Sequence, residues 1–331
     1  MTSFPDPVKS TALVVCTPPQ HPRVSVRAHL EKVTDVAYRR SFEIAKCEAS
    51  YFPQVTSNFT GRNFVCLSSA YLTPPKVLKT DSGIDIEIFS AKPGNYKPPI
   101  LIFSHGYTTP PVKYRPLLGE LASHGYTVLS LNHSSIIEEV PSLTREQETA
   151  LMEELAPVMA NNIQYVLEEV RNGVLKGIGD PNKIVLGGHS LGGSASIMVS
   201  RTDPTIAGCV NLDGFLKGNR KTDGLEQPLL IMTGDYQSGI EVDAQDPEKE
   251  VRDNAKFMSQ SLEEYEMLHI NTNDSSHSEK ITIDRGRHMD FTDEPFRDYL
   301  AGEKTLDAAM RVHTIVSQKM LGFMHSVCGA R

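Results

Sequence analysis

The chain has 331 residues, 39% hydrophobic and 22% charged, with a formal net charge of −8 at pH 7. That is the composition of a soluble globular protein with room for one large domain or two ordinary ones. Acidic charge with no basic stripe excludes the footprint of a nucleic-acid binder, and no segment approaches the length needed for membrane insertion.

Residues 12–16 form a short apolar run that stops at Thr17-Pro18-Pro19, too short for the core of a signal peptide. Five cysteines (Cys16, Cys47, Cys66, Cys209 and Cys328) contain no C-x-x-C pair. They point to a reducing, cytoplasmic location rather than a disulfide framework or zinc site. Between residues 26 and 50, Leu30, Val33, Ala37 and Ile44 recur among charges and predict one amphipathic helix. Its bland role is packing on the domain that follows; its functional alternatives are a cap or a homodimer contact. Residues 1–62 are therefore read as an N-terminal extension and 63–331 as the main domain.

Residues 63–72 and 84–91 alternate apolar and polar side chains across Pro74-Pro75 and Asp81-Ser82-Gly83, as antiparallel strands do. Residues 99–106 are a continuous apolar run, the mark of a parallel strand covered on both faces. A helical stretch, 114–124, closes at Gly125 and a second buried strand follows at 126–131, which makes a right-handed crossover. Residues 134–144 are irregular, and 145–172 form a long helical pattern that Pro157 should break or kink. We read 134–157 as a small lid insertion. Short buried strands at 206–212 and 228–233, an amphipathic helix at 246–268, a polar loop at 271–278 and a terminal helix at 306–327 complete the chain. The fold class is α/β: a doubly wound, mostly parallel sheet with helices on both faces.

Chemistry concentrates in residues 183–194, an apolar strand, a glycine-rich turn and a small-residue helix start. Gly188-His189-Ser190-Leu191-Gly192 fits G-x-S-x-G, the nucleophile elbow of α/β-hydrolases. The serine sits on a strained turn that needs flanking glycines, and the helix behind it aims the Leu191 amide at a developing oxyanion. A serine needs a base, itself oriented by an acid. Of the later histidines, His313 and His325 fall in the terminal helix, His269 ends an apolar stretch, and His277 lies in a polar loop. His288 follows a strand-like run at 281–283 and precedes a helix, where a loop-borne base belongs; His277 is the reserve. For the acid, Asp213 and Asp235 both end strands, where open α/β sheets place their sites. The residues alone leave those two open.

His105-Gly106, the elbow Gly-His-Ser-Leu-Gly-Gly, Leu212-Asp213-Gly214-Phe215 and His288-Met-Asp-Phe-Thr-Asp293 together resemble the platelet-activating-factor acetylhydrolase family over about residues 64–300. These are serine esterases of the α/β-hydrolase fold. The resemblance implies Asp213 as acid, His288 as base, and the amides of Tyr107 and Leu191 as oxyanion donors. Asn132-His133 resembles that family's strand-end histidine beside the pocket. Polyester hydrolases and cutinase-like enzymes are similar too, and they imply Asp235 as the acid.

The expected function is a metal-free serine hydrolase that uses no cofactor and cleaves a small or medium, neutral carboxylic ester through an acyl-enzyme. The rivals are an acyl transferase, thioesterase or cyclising enzyme, and a non-catalytic small-molecule binder. His105, Gly106, His133, His189 and Phe215 are expected at the substrate pocket, with His189 packing under the elbow and His105 holding the oxyanion loop. The pocket walls are expected from loops at 106–111, 133–143 and 215–218 and from the neighbourhood of His288. No cluster has metal-ligand spacing.

Overall fold

The structure, a computed structural model, describes residues 76–80, 84–90, 97–133, 143–175, 177–274 and 276–329. It also describes the backbone of three earlier strands: Ala12–Cys16 (β1), Val55–Phe59 (β2) and Arg62–Ser68 (β3). The chain divides into residues 1–74 and 75–331. Within the first unit β3 pairs parallel to β1 and antiparallel to β2. The division therefore falls later than the expected boundary at 62/63, because β3 joins β1 and does not open the larger sheet. The helix expected over residues 26–50 lies outside the described residues.

The second unit is built on an eight-stranded sheet. Its strands are Lys76–Lys79 (β4), Asp85–Ser90 (β5), Ile100–Ser104 (β6), Thr127–Asn132 (β7), Ile184–His189 (β8), Gly208–Leu212 (β9), Leu229–Thr233 (β10) and Glu279–Thr282 (β11). Their order is β11-β10-β9-β8-β6-β7-β5-β4. The six strands from β11 to β7 run parallel, and β5 and β4 are added antiparallel at one edge. The helices are Arg115–Ser123 (α1), Arg145–Arg171 (α2), Leu191–Thr202 (α3), Gln237–Asp243 (α4), Lys249–Asn271 (α5), Glu294–Ala301 (α6) and Leu306–Cys328 (α7).

Alternation along the central strands sorts the helices between two faces. Ile100 and Ile102 of β6, with Ile184 and Leu186 of β8, pack against Met159, Ile163 and Val166 of α2 and Ala195 and Val199 of α3. Helix α5 joins that face through Tyr265 and Leu268, which meet Cys209, Leu229 and Ile231. On the other face Phe103 meets the ring of Tyr114, just before α1, at 5.1 Å. A side chain at Gly208 would there run into Phe323 of α7, 2.9 Å away. Both faces are covered, which is why the central strands are mostly apolar and buried on both sides.

Helix α2 starts with a capping box that the sequence reading missed: Thr144 accepts from the Gln147 N–H, and Gln147 accepts from the Thr144 N–H. The helix runs unbroken through Pro157, so the expected break is absent. Residues 145–157 of the expected lid are its first half, while 134–142 lie outside the described residues.

One close approach fixes the sheet against the helix carrying the elbow. A Cβ on Gly192 would lie 2.1 Å from the Ser104 carbonyl oxygen and 2.5 Å from that of His105. Both are backbone atoms, so β6 and α3 would have to separate. We expect Gly192→Ala to destabilise the protein by about 3 kcal/mol or more, read as a lower urea midpoint. A midpoint equal to that of the native chain would show that the two elements can part cheaply.

Candidate active site

Three loops at the carboxyl ends of β8, β9 and β11 meet at one place. The first is the elbow. Ser190 has φ 54° and ψ −128° and leads into α3, and its N–H donates to the Leu212 carbonyl at 2.9 Å. A Cβ on Gly188 would lie 2.4 Å from the backbone of Gly192, so the turn closes only with glycine at that position. The second loop follows β9. Asp213 has φ 55°, and Asn211 clamps the turn by accepting from the Gly214 N–H at 2.8 Å and donating to its carbonyl at 2.9 Å. The third follows β11 and carries His288 at the start of the short 3-10 helix His288–Phe291. Among the described residues four non-glycines have positive φ: Thr108, Ser190, Asp213 and Arg285. Each lies in one of these loops or in the loop after β6, and strained backbone of this kind clusters at functional sites.

The side chains connect in a line. Ser190 Oγ is 3.0 Å from His288 Nε2, and His288 Nδ1 is 2.7 Å from Asp213 Oδ2. Asp213 is fully buried, and its carboxylate also accepts from the Gly234 N–H at 3.1 Å and from the Tyr236 hydroxyl. Burial, and secondarily the Asp213 charge, pushes the Tyr236 phenol above its ordinary pKa, so it remains a donor. Asp235 faces elsewhere: it accepts from the Arg285 N–H at 3.2 Å, and its own N–H donates to the Gly286 carbonyl at 2.9 Å. It braces the His288 loop and does not pair with the imidazole. The other histidines lie apart. His277 is exposed beside Asp274 and Ser276, His269 belongs to α5 rather than to a strand, and His313 and His325 belong to α7.

Behind the line lies a buried network. His189 Nε2 is 2.9 Å from the His288 carbonyl, which can only accept, so that nitrogen carries the proton. His189 Nδ1 then accepts from the Tyr114 hydroxyl at 2.8 Å, and that hydroxyl accepts from the Gly106 N–H at 3.1 Å. The elbow, the loop after β6 and the His288 loop are thereby tied by two side chains. His105 donates from Nδ1 to the Gly106 carbonyl at 2.7 Å and accepts the His133 N–H at Nε2, at 2.8 Å. His133 accepts from Asn162 at 3.1 Å and donates to Ser104 Oγ at 2.9 Å. Both nitrogens of every ring are used with one proton each.

A second proton would break a bond and charge a desolvated ring. Burial accordingly lowers the pKa of His105 to about 4 and takes those of His133 and His189 well below the usual value. His313, packed edge-on to Phe296 with Nε2 unpartnered, is lowered to about 4 by burial, slightly opposed by Glu120. The unfolded chain binds these protons near pH 6.5 and the folded chain only near 4 or below, so their contribution is complete above 6.5 and is lost as pH falls through that window. Melting temperature should fall steadily between those values, and His313→Leu should flatten the fall. An equally steep decline in that variant would exclude His313 as a cause.

Comparison with known proteins agrees with this architecture. The chlorophyllase family model matches residues 75–213, from the start of the second unit through the elbow to Asp213. The solved structure of a ferulic acid esterase from Streptomyces cinnamoneus is 22% identical, with a TM-score of 0.53, covering 73% of this chain and 70% of that one. The chain has the α/β-hydrolase fold. Together the two findings support an ester hydrolase of that fold. Neither concerns platelet-activating-factor acetylhydrolases, so that closer resemblance rests on the quoted motifs alone. Among curated proteins nothing matches.

As in an open α/β-hydrolase sheet, a cleft of about 460 Å³ opens at Ser190, Leu191 and His288, which are among its lining. Its walls match the expectation at residues 215–218 and around His288 and depart from it elsewhere. They come from the start of α2 (Arg145, Met152), from α4 (Ile240) and from α5 (Phe257, Met258), with Phe215 and Lys217 from the loop after β9. The loop at 106–111 contributes none of the lining. Phe215 lines the cleft as expected, its ring parallel to that of His288 within 5° and 6.4 Å away. His105, Gly106, His133 and His189 do not. The three histidines are at most 1% exposed, because their bonds run inward between loops. Tyr114, Tyr236, Arg145 and Lys217 were missed by sequence reasoning. Only Tyr236, next to a strand-ending Gly234-Asp235, carried a local signal.

Proposed function

We propose that this α/β-hydrolase is a serine hydrolase that cleaves a small or medium carboxylic ester through an acyl-enzyme. The observation that supports it best is the continuous path from Ser190 Oγ through His288 to the buried Asp213, with distances of 3.0 and 2.7 Å. As Ser190 Oγ adds to the carbonyl carbon, its proton passes to His288 Nε2. Collapse of the tetrahedral intermediate expels the alcohol, which leaves with that proton. Water then repeats the sequence on the acyl-enzyme and frees the acid and the serine. Asp213 keeps the imidazole in the tautomer with Nδ1 protonated and balances its charge in the transition state.

The amides of Leu191 and Tyr107 are the proposed oxyanion donors. Leu191 is the first residue of α3, where an amide points out of the helix end. The loop before Tyr107 is close to the nucleophile: a Cβ on Gly106 would lie 3.0 Å from that of Ser190.

The test is a fluorophosphonate probe together with para-nitrophenyl esters of increasing acyl length. Labelling of Ser190 with hydrolysis of the shorter esters in the absence of any lipid surface is expected. No described helix is long and apolar enough to cross a membrane, and added anionic vesicles should not raise the rate. Absence of labelling would overturn the reading. Labelling without hydrolysis of any ester would move the assignment to an acyl transferase, thioesterase or cyclising enzyme.

A further inference from the structure

Lys217 is a buried cation in the wall of the cleft that holds Ser190. It is 7% exposed, and among the described residues its partners are the Glu153 carboxylate at 3.8 Å and the Phe257 ring, 5.9 Å away. The first distance is beyond hydrogen-bond reach. Glu153 spends its other oxygen on the Gly218 N–H at 3.0 Å. An ammonium taken out of water is costly unless paired and hydrogen-bonded. Burial is the main cause that lowers the Lys217 pKa, with Glu153 opposing it and Lys221 and Arg145 adding to it.

Arg145 lines the same cleft and stands over the same ring, its guanidinium carbon 4.5 Å from the Phe257 centroid. Two cations thus share one end of the cleft. Three carboxylates also line the cleft: Glu148 pairs with Arg145 at 3.2 Å, Asp235 accepts from the Arg285 N–H at 3.2 Å, and Asp243 stands on α4. Among the described residues, Lys217 has no hydrogen-bond acceptor within reach on the cleft side.

We propose that Lys217, assisted by Arg145, is the specificity determinant for a carboxylate carried by the substrate, so that the preferred ester is one bearing a free acid group. The inference rests on the ester-hydrolase reading and narrows its substrate class. It replaces the neutral ester expected from composition, because the overall charge of −8 says nothing about the local balance inside the cleft.

The experiment uses the full chain and two matched pairs of esters. In the first pair the acid is on the acyl side: mono-para-nitrophenyl glutarate against para-nitrophenyl butyrate. In the second it is on the alcohol side: the acetyl ester of para-hydroxybenzoate against that of its methyl ester. The expected result is a preference in kcat/KM of roughly tenfold or more for the acid in one pair, the size of a charge-assisted hydrogen bond. Which pair shows it locates the acid group. Lys217→Met should bring that ratio close to one, while Lys217→Arg retains most of it. Arg145→Gln, at a half-exposed position, should lower the ratio in part and serves if Lys217→Met does not fold. No preference in either pair, or equal loss for acid and neutral members, would overturn the proposal. Calorimetric binding of the same esters to Ser190→Ala reads the ratio without turnover. A binding preference for the acid in a chain whose native form shows neither labelling nor hydrolysis would sink the esterase reading and leave the carboxylate site standing.

Discussion

Ser190→Ala is expected to abolish fluorophosphonate labelling and to lower ester hydrolysis by roughly a thousandfold to a millionfold, the range spanned by loss of a nucleophile in such sites. The argument is geometric. Ser190 combines a φ of 54°, a place at the head of α3 and an imidazole nitrogen 3.0 Å from its hydroxyl. What survives in the variant should be the part contributed by binding and by the oxyanion donors. Intact labelling of the alanine variant would show that another nucleophile is at work.

Asp213→Asn should cost about ten-thousandfold in kcat with little change in KM, because the amide cannot hold the imidazole in the tautomer that takes the serine proton. Here the effect has a second source. The carboxylate accepts from three donors, His288 Nδ1, the Gly234 N–H and the Tyr236 hydroxyl. Asparagine offers one accepting oxygen and one donating nitrogen, so at least one of those donors faces another donor. Asp235→Asn should lose far less, since that side chain is bonded to the backbone of Arg285. The comparison is made by steady-state kinetics on both variants. A larger loss at residue 235 would transfer the role of acid to it.

The elbow was legible because its geometry is local: five consecutive residues carry the glycines, the serine and the helix start. His288 was legible for a similar reason, its position between a short strand and a helix. The choice between Asp213 and Asp235 was not, because both end strands beside glycines and differ only in what faces them in space. That is decided by where the loop after β11 folds back, with Gly286 receiving the Asp235 N–H and His288 reaching Asp213. Tyr114 and His189 meet across 75 residues of sequence and leave no pattern in it. The walls from α4 and α5 were not foreseen, because the amphipathic pattern over 246–268 says nothing about what the outer side of such a helix borders. The division at residue 74 was hidden because an alternating strand does not declare which sheet it will join.

Helix α2 serves two masters along one axis. Beyond Pro157, Met159, Ile163 and Val166 are sealed against the sheet, while Arg145, Glu148 and Met152, more than a turn before it, face the cleft with at least part of each side chain in solvent. Pro157 has no N–H to offer the carbonyl four residues back, so the hydrogen-bond ladder has a gap between the two halves. Met152 and Leu155 still pack on the core, but Arg145 and Glu148 at the outer end can change without disturbing the inner half that anchors the helix. New substrate preferences can therefore arise by single exchanges at this rim of an otherwise constant scaffold.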